Sequence, residues 1–273
     1  MNKENYKIIK FLCETNAGFL TQFVRATNVI KVLTGQSNDI CKNLWLKVNE
    51  KLGGTNWKID MTPLPRSPEP VMVVGCSFSH SPPGEQKPTM VGFVASTGQG
   101  ATKYINDAFH QDPRLNIVAK DTMKAALNFM IIKQNRPPPS KIIWYRGGAS
   151  EGQLQMILKA EMLQIREILE EWRPDYKPGI TFIAVVRNQR QKLFAANKSD
   201  MVGRGENVPC GTAMSGYGGI PKSFHFFLVS HSGIGTLNPT FYQILHDDND
   251  LSMQNAVSMT YALCMDSKRC ERR

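Results

Sequence analysis

The chain has 273 residues, 41% of them hydrophobic and 21% charged, which excludes wholesale disorder and leaves room for one large domain or two small ones. Lys and Arg number 33 against 23 Asp and Glu, a net charge of +10 that favours a polyanionic partner such as nucleic acid or an acidic membrane surface. No apolar run approaches the ~18 residues of a membrane span. The six cysteines and five histidines contain no CxxC pair and no HExxH spacing, so no metal site, disulfide framework or cofactor is expected. That cysteine usage fits a reducing compartment, and the opening MNKENYKIIKFL has no signal-peptide core, so the expected location is cytoplasmic or nuclear rather than secreted.

In chain order, residues 4–13 read as a short helix and 20–29, LTQFVRATNV, as a strand. Residues 36–52 read as an amphipathic helix closed by Gly53-Gly54. The proline-rich stretch 61–70, MTPLPRSPEP, predicts an extended linker between a domain at 1–60 and another at 71–273. Beyond it, 71–79 predicts a buried strand with 90–96 as its hairpin partner, followed by a helix over 119–133 and a strand over 141–146. A long helix opens at Ser150, with Gln153 completing a capping box. It runs on Leu154, Ile157, Leu158, Ile165, Ile168, Leu169 and Trp172 until Pro174 stops it. Strands at 180–186, 224–230 and 241–245 and a helix over 251–265 complete a mixed α/β chain with a central sheet.

The first 54 residues hold the most pointed pattern. Tyr6 and Lys10 share one helix face, Lys47 and Lys51 share another, and Gln22 opens the intervening segment. Lysines suit a phosphate and a tyrosine ring can stack on a base. Spacing by itself favours two solvated amphipathic faces over a converged site.

Tyr6-x3-Lys10, Thr21-Gln22, Asn28-Val29 and the run Leu46-Lys47-Val48-Asn49-Glu50-Lys51-Leu52-Gly53-Gly54 resemble the C-terminal half of an Argonaute Mid domain, a partial Rossmann-like unit. The resemblance continues through Val73–Pro82, Ile142–Gln153, Pro178–Ile183, Asn207–Thr212, Ser230–Ile234 and Asp247–Asn249, which follow one another as in a PIWI domain of RNase H-like fold. It implies that Tyr6, Lys10, Gln22, Asn28, Lys47 and Lys51 hold the 5′-phosphate and first base of a small guide RNA. It implies further that Arg187, Arg190, Lys192 and Arg269 face the guide backbone. It also implies a complementary target RNA and silencing scaffold proteins as partners, Tyr176 standing where some members form a tryptophan pocket. By the same resemblance the chain starts about halfway through Mid and stops short of the family's C-terminal segment.

In cleaving members, acidic side chains on the first PIWI strand and after the YR strand hold two Mg²⁺ ions, with a mobile glutamate and a late histidine or aspartate. Here Ser77 and Gly147 stand at the first two positions. The glutamate falls near Leu115, in a stretch with no Glu between Glu85 and Glu151. Asp107, Asp112 and Asp121 have no spacing that argues for substitution, and His80 and His231 read as hydrogen-bonded motif residues. The expectation is an RNA-silencing protein that binds a guide and does not slice, resembling the catalytically empty worm-specific Argonautes. The rival expectations are an RNase H-like endoribonuclease with a rebuilt metal site and an inert truncated fragment.

Overall fold

The computed structural model describes residues 3–56, 70–97, 101, 103–134, 136–203, 205–216, 224–233 and 235–265. The predicted linker lies outside these residues except for Pro70, and Arg269 lies outside them altogether. The chain divides into two compact units, 1–58 with 266–273, and 59–265.

The first unit is helical. Helix α1 (Lys3–Lys10) passes into a wider turn at Phe11–Asn16, and α2 (Ala26–Leu33) and α3 (Asn38–Lys51) follow. The expected strand over 20–29 does not form. Residues 17–25 are irregular, held by side chains from their neighbours rather than by a ladder, and ATNVIKVL puts its apolar residues on a helical stripe instead of an alternating face. Helix α3 ends as its Gly-Gly sequence requires. Gly53, with φ 82°, donates to the Glu50 carbonyl at 2.9 Å, and Gly54 N donates to the Asn49 carbonyl at 2.8 Å. This paired bonding satisfies two orphan carbonyls and fixes the last turn, which carries Lys51.

The second unit is built on an eight-stranded sheet. Its strands are β1 (Val71–Ser79), β2 (Thr89–Ser96), β3 (Tyr104–Gln111), β4 (Lys141–Gly147), β5 (Gly179–Val186), β6 (Ala213–Ser215), β7 (Phe224–Leu228) and β8 (Thr240–Asp247), in the spatial order β3-β2-β1-β4-β5-β8-β7-β6. The hairpin β1–β2 is antiparallel, as the sequence predicts, whereas β1–β4 and β4–β5 are parallel. Those three strands are apolar almost throughout because both of their faces are buried.

Alternation assigns the faces. Val74, Cys76, Ile142, Trp144, Ile180 and Phe182 pack with α4 (Lys120–Met130) and α5 (Leu154–Trp172). Val73, Ile143, Ile183, Phe226 and Tyr242 pack with α6 (Met253–Cys264). Trp144 stacks on Phe182 at 6.3 Å and meets Phe93 edge-on at 6.1 Å, so one indole joins three strands. Helix α5 buries the predicted stripe at Leu154, Ile157, Ile165, Ile168 and Leu169. Its start differs from the expected capping box. A tight turn at Glu151–Gln153 precedes it, and Ser150 Oγ donates to Gln153 Oε1 at 3.0 Å instead of accepting from a backbone N–H.

Candidate nucleic-acid interface

The helical unit gathers four of its six predicted side chains around residues 21–23. Tyr6 on α1 lays its ring against Phe23, with centroids 4.8 Å apart. Lys10, one turn on, donates to Glu14 Oε1 at 2.5 Å. The same carboxylate oxygen accepts from Thr21 N at 3.1 Å and Thr21 Oγ1 at 2.5 Å. From the other side, Lys51 on α3 donates to the Thr21 carbonyl. Gln22 sits between these contacts and turns its amide back onto the Phe23 carbonyl at 2.9 Å. Lys47 lies one turn before Lys51 on the same helix, half-buried and without a hydrogen-bond partner among the described residues. Asn28, in the first turn of α2, makes no side-chain hydrogen bond among the described residues. The Lys10 contact, followed by the Thr21 hydroxyl, lowers the Glu14 carboxyl from its ordinary 4.5 to about 2. Sequence reading passed over Glu14. Its place four residues after Lys10, where opposite charges pair on a helix, was the available signal.

The second unit opens a cleft of about 1310 Å³ where β1, β4 and β5 end side by side. Ligands of parallel sheets collect at such carboxyl-terminal strand ends. Ser77, Gly147 and Arg187 stand at or just past those three ends, and Arg190, His80, Asn106, Asp107 and Asn116 also line the cleft. Ser77 and Gly147 are neighbours: a Cβ at Gly147 would lie 3.5 Å from Ser77 Oγ. Lys192 is exposed and does not line the cleft. His80 hydrogen-bonds with Thr89 Oγ1 at 3.0 Å, and His231 with Ser230 Oγ at 2.8 Å. The Tyr176 hydroxyl is spent on the Pro139 carbonyl at 2.6 Å.

One buried side chain braces the cleft. Arg146, fully buried, donates from Nε and Nη2 to Glu161 at 2.9–3.2 Å, and from Nη1 to the Gly147 carbonyl at 2.6 Å. Its Nη2 also reaches the Asn116 carbonyl, and its guanidinium lies 4.1 Å from the Phe78 ring centroid. Two lining residues on different segments thus meet through one guanidinium. Burial pushes the Glu161 carboxyl up, while Arg146 and the Val118 N–H pull it down. The sequence hint was an acidic residue set between Ile157 and Ile165 at helical spacing on an otherwise apolar stripe.

Residues 1–273 match the family model described as Piwi domain. The chain belongs to the Argonaute/Piwi family. Among solved structures, the C-terminal lobe of a budding yeast Argonaute superposes with a TM-score of 0.79 at 23% identity, over 98% of this chain and 56% of that one. Kluyveromyces polysporus Argonaute, determined with a guide RNA, gives 0.77 at 24% identity, over 98% of this chain and 33% of its own. Drosophila Piwi gives 0.69 at 24%, over 85% and 30%. The chain therefore spans about half of the first of these and a third of the other two. The sheet and its flanking helices are the RNase H-like Piwi fold.

The metal pair that the sequence resemblance implies for cleaving members does not fit the residues present. Hard divalent cations need several anionic oxygens. At the two adjacent strand ends this Piwi domain offers a neutral hydroxyl and no side chain at all. Among the residues lining the cleft the carboxylate is that of Asp107, on β3, two strands from β1, where it accepts from the Ala108 N–H at 2.8 Å. Among the described residues no group of three or more His, Cys, Asp or Glu is disposed to hold a metal ion, and no helix is long and apolar enough to cross a membrane.

Proposed function

We propose that this Piwi-family chain binds a small guide RNA by its 5′-phosphate, presents it to complementary RNA, and does not cut, in the manner of the worm-specific Argonautes its sequence resembles. The observation that carries the reading is the convergence of Tyr6, Lys10, Gln22 and Lys51 on residues 21–23, with Lys47 one turn from Lys51. Two or three ammonium groups and an amide can surround a phosphate from different sides, and the exposed Tyr6 ring offers a face for the first base. A terminal phosphate monoester carries more charge than an internal diester, so such a grip selects RNA ends. The neutral pair Ser77 and Gly147 supports binding without hydrolysis, and Arg187 and Arg190 supply cations for a phosphodiester backbone in the cleft. The solved Kluyveromyces polysporus relative holding a guide RNA supports the ligand class.

The test is equilibrium binding of one short RNA carrying either a 5′-phosphate or a 5′-hydroxyl. The wild type should prefer the phosphate by about tenfold or more, the worth of one charge-assisted hydrogen bond. Replacing Lys47→Glu together with Lys51→Glu should abolish the preference. Equal affinity for the two ends in the wild type would defeat the pocket.

A further inference from the structure

Residues 17–25 have no regular structure, yet they carry Gln22 and Phe23 into the donor cluster. What fixes them is a three-part grip on Thr21. Its N–H and its hydroxyl both end on Glu14 Oε1, at 3.1 and 2.5 Å, and its carbonyl accepts from Lys51. The same Glu14 oxygen holds Lys10 Nζ at 2.5 Å. One carboxylate therefore ties α1 to the irregular segment while α3 holds that segment from the opposite side.

We propose that Glu14 is a positioning residue for the 5′-phosphate grip, setting Lys10 and the Gln22 segment in place before the RNA end arrives. The proposal rests on the reading of the pocket given above and assigns a role to a residue outside the donor set. An ammonium has three hydrogens. Glu14 takes one from Lys10, which leaves donors for an incoming anion on a side chain whose freedom is already reduced. A free lysine has many rotamers to lose, and affinity rises when that loss precedes binding. A carboxylate that only rivalled the phosphate would engage Lys10 alone. Glu14 also takes both Thr21 donors, so removing it releases the segment that bears Gln22. The two ideas differ in sign: removing a rival tightens phosphate binding, whereas removing a positioning group weakens it.

The experiment measures the affinity ratio for 5′-phosphorylated over 5′-hydroxyl RNA in the full chain, for wild type, Glu14→Ala, Glu14→Gln and Thr21→Val. The positioning role predicts that Glu14→Ala lowers the ratio about tenfold, as expected when a charge-assisted contact is lost. Glu14→Gln keeps an acceptor for the Thr21 donors and should recover part of the ratio, a rescue that general destabilisation would not give. Thr21→Val should lower the ratio by a smaller factor, and it reads the same contact if Glu14→Ala fails to melt cooperatively. A ratio unchanged or raised in both Glu14→Ala and Thr21→Val overturns the positioning role and leaves the pocket standing. A wild-type ratio of one overturns the pocket and this role with it.

Discussion

Ser77 and Gly147 lie side by side, and restoring a carboxylate at each is sterically open. A Cβ at Gly147 meets the Cys76 carbonyl and Ser77 Oγ at 3.5 Å, ordinary contact distances, and Gly147 is not among the positive-φ glycines. The variant Ser77→Asp with Gly147→Asp should therefore fold and acquire affinity for Mn²⁺ that the wild type lacks. A melt with millimolar Mn²⁺ should raise the Tm of the double variant by roughly 2–4 °C for each kcal/mol of binding and leave the wild type unmoved. A Mn²⁺ shift in the wild type would contradict the misfit argued for these residues. Gly148, with φ 81°, is a different case, since any side chain there is strained. Glu14 is testable by titration. Its carboxyl is held near 2 in the folded chain against 4.5 ordinarily, so the contact with Lys10 is complete above about pH 4.5 and is lost as pH falls through about 2. Following its carboxyl carbon by NMR should give a midpoint near 2. A midpoint near 4.5 would mean that Lys10 and Thr21 do not hold it.

Helix α3 carries Lys47 and Lys51 and strand β4 carries Arg146, and each element depends on a local device. Gly53→Ala puts a Cβ into a left-handed conformation, at a cost of about 1–2 kcal/mol. It should loosen the last turn of α3 and weaken 5′-phosphate binding through Lys51, whereas an alanine at the exposed Lys42 should leave that binding within twofold. In β4, Arg146→Ala strands Glu161 as a buried charge and should cost about 3–5 kcal/mol in urea unfolding. Replacing both Arg146→Met and Glu161→Met should recover much of that loss, because breaking a buried pair costs more than exchanging it for apolar groups. Equal losses in the single and double variants would show that the cost does not come from the stranded Glu161 carboxylate. These elements also mark how far the sequence could be read. The buried parallel strands and α5 were legible because their apolar runs and 3.6-residue stripe leave little choice. Helix α2 was missed because the span 20–29 stops before Ile30, Val32 and Leu33, which with Val29 make the helical stripe. The edge strands β3 and β6 escaped notice because β3 shows mostly polar residues to solvent and β6 is three residues long. Tyr6, Lys10, Gln22 and Lys51, which the structure brings together, were singled out by family resemblance and not by their spacing. Glu14, Arg146 and Glu161, which act by pairing across 4 to 15 positions, were not.

For the whole molecule, the +10 net charge supplies a long-range attraction for any nucleic acid, and on the proposed reading the two units would divide selectivity between them. The cluster around Thr21 is suited to an RNA end, and the Arg187 and Arg190 cleft to a backbone. Affinity for single-stranded RNA should therefore fall steeply with salt, log Kd changing by about 0.7 per phosphate contact for each tenfold rise. The phosphate-to-hydroxyl ratio should fall less, since it compares two ends of the same polymer. The measurement that bears most directly on the account is a single loading experiment. The protein is saturated with a 5′-phosphorylated guide, then mixed with end-labelled complementary RNA and Mg²⁺ or Mn²⁺, and the label is followed for retention and for length. The account predicts that the target stays on the protein at full length. A shortened product that needs both guide and metal would show a working cation site beside Ser77 and Gly147 and would contradict it.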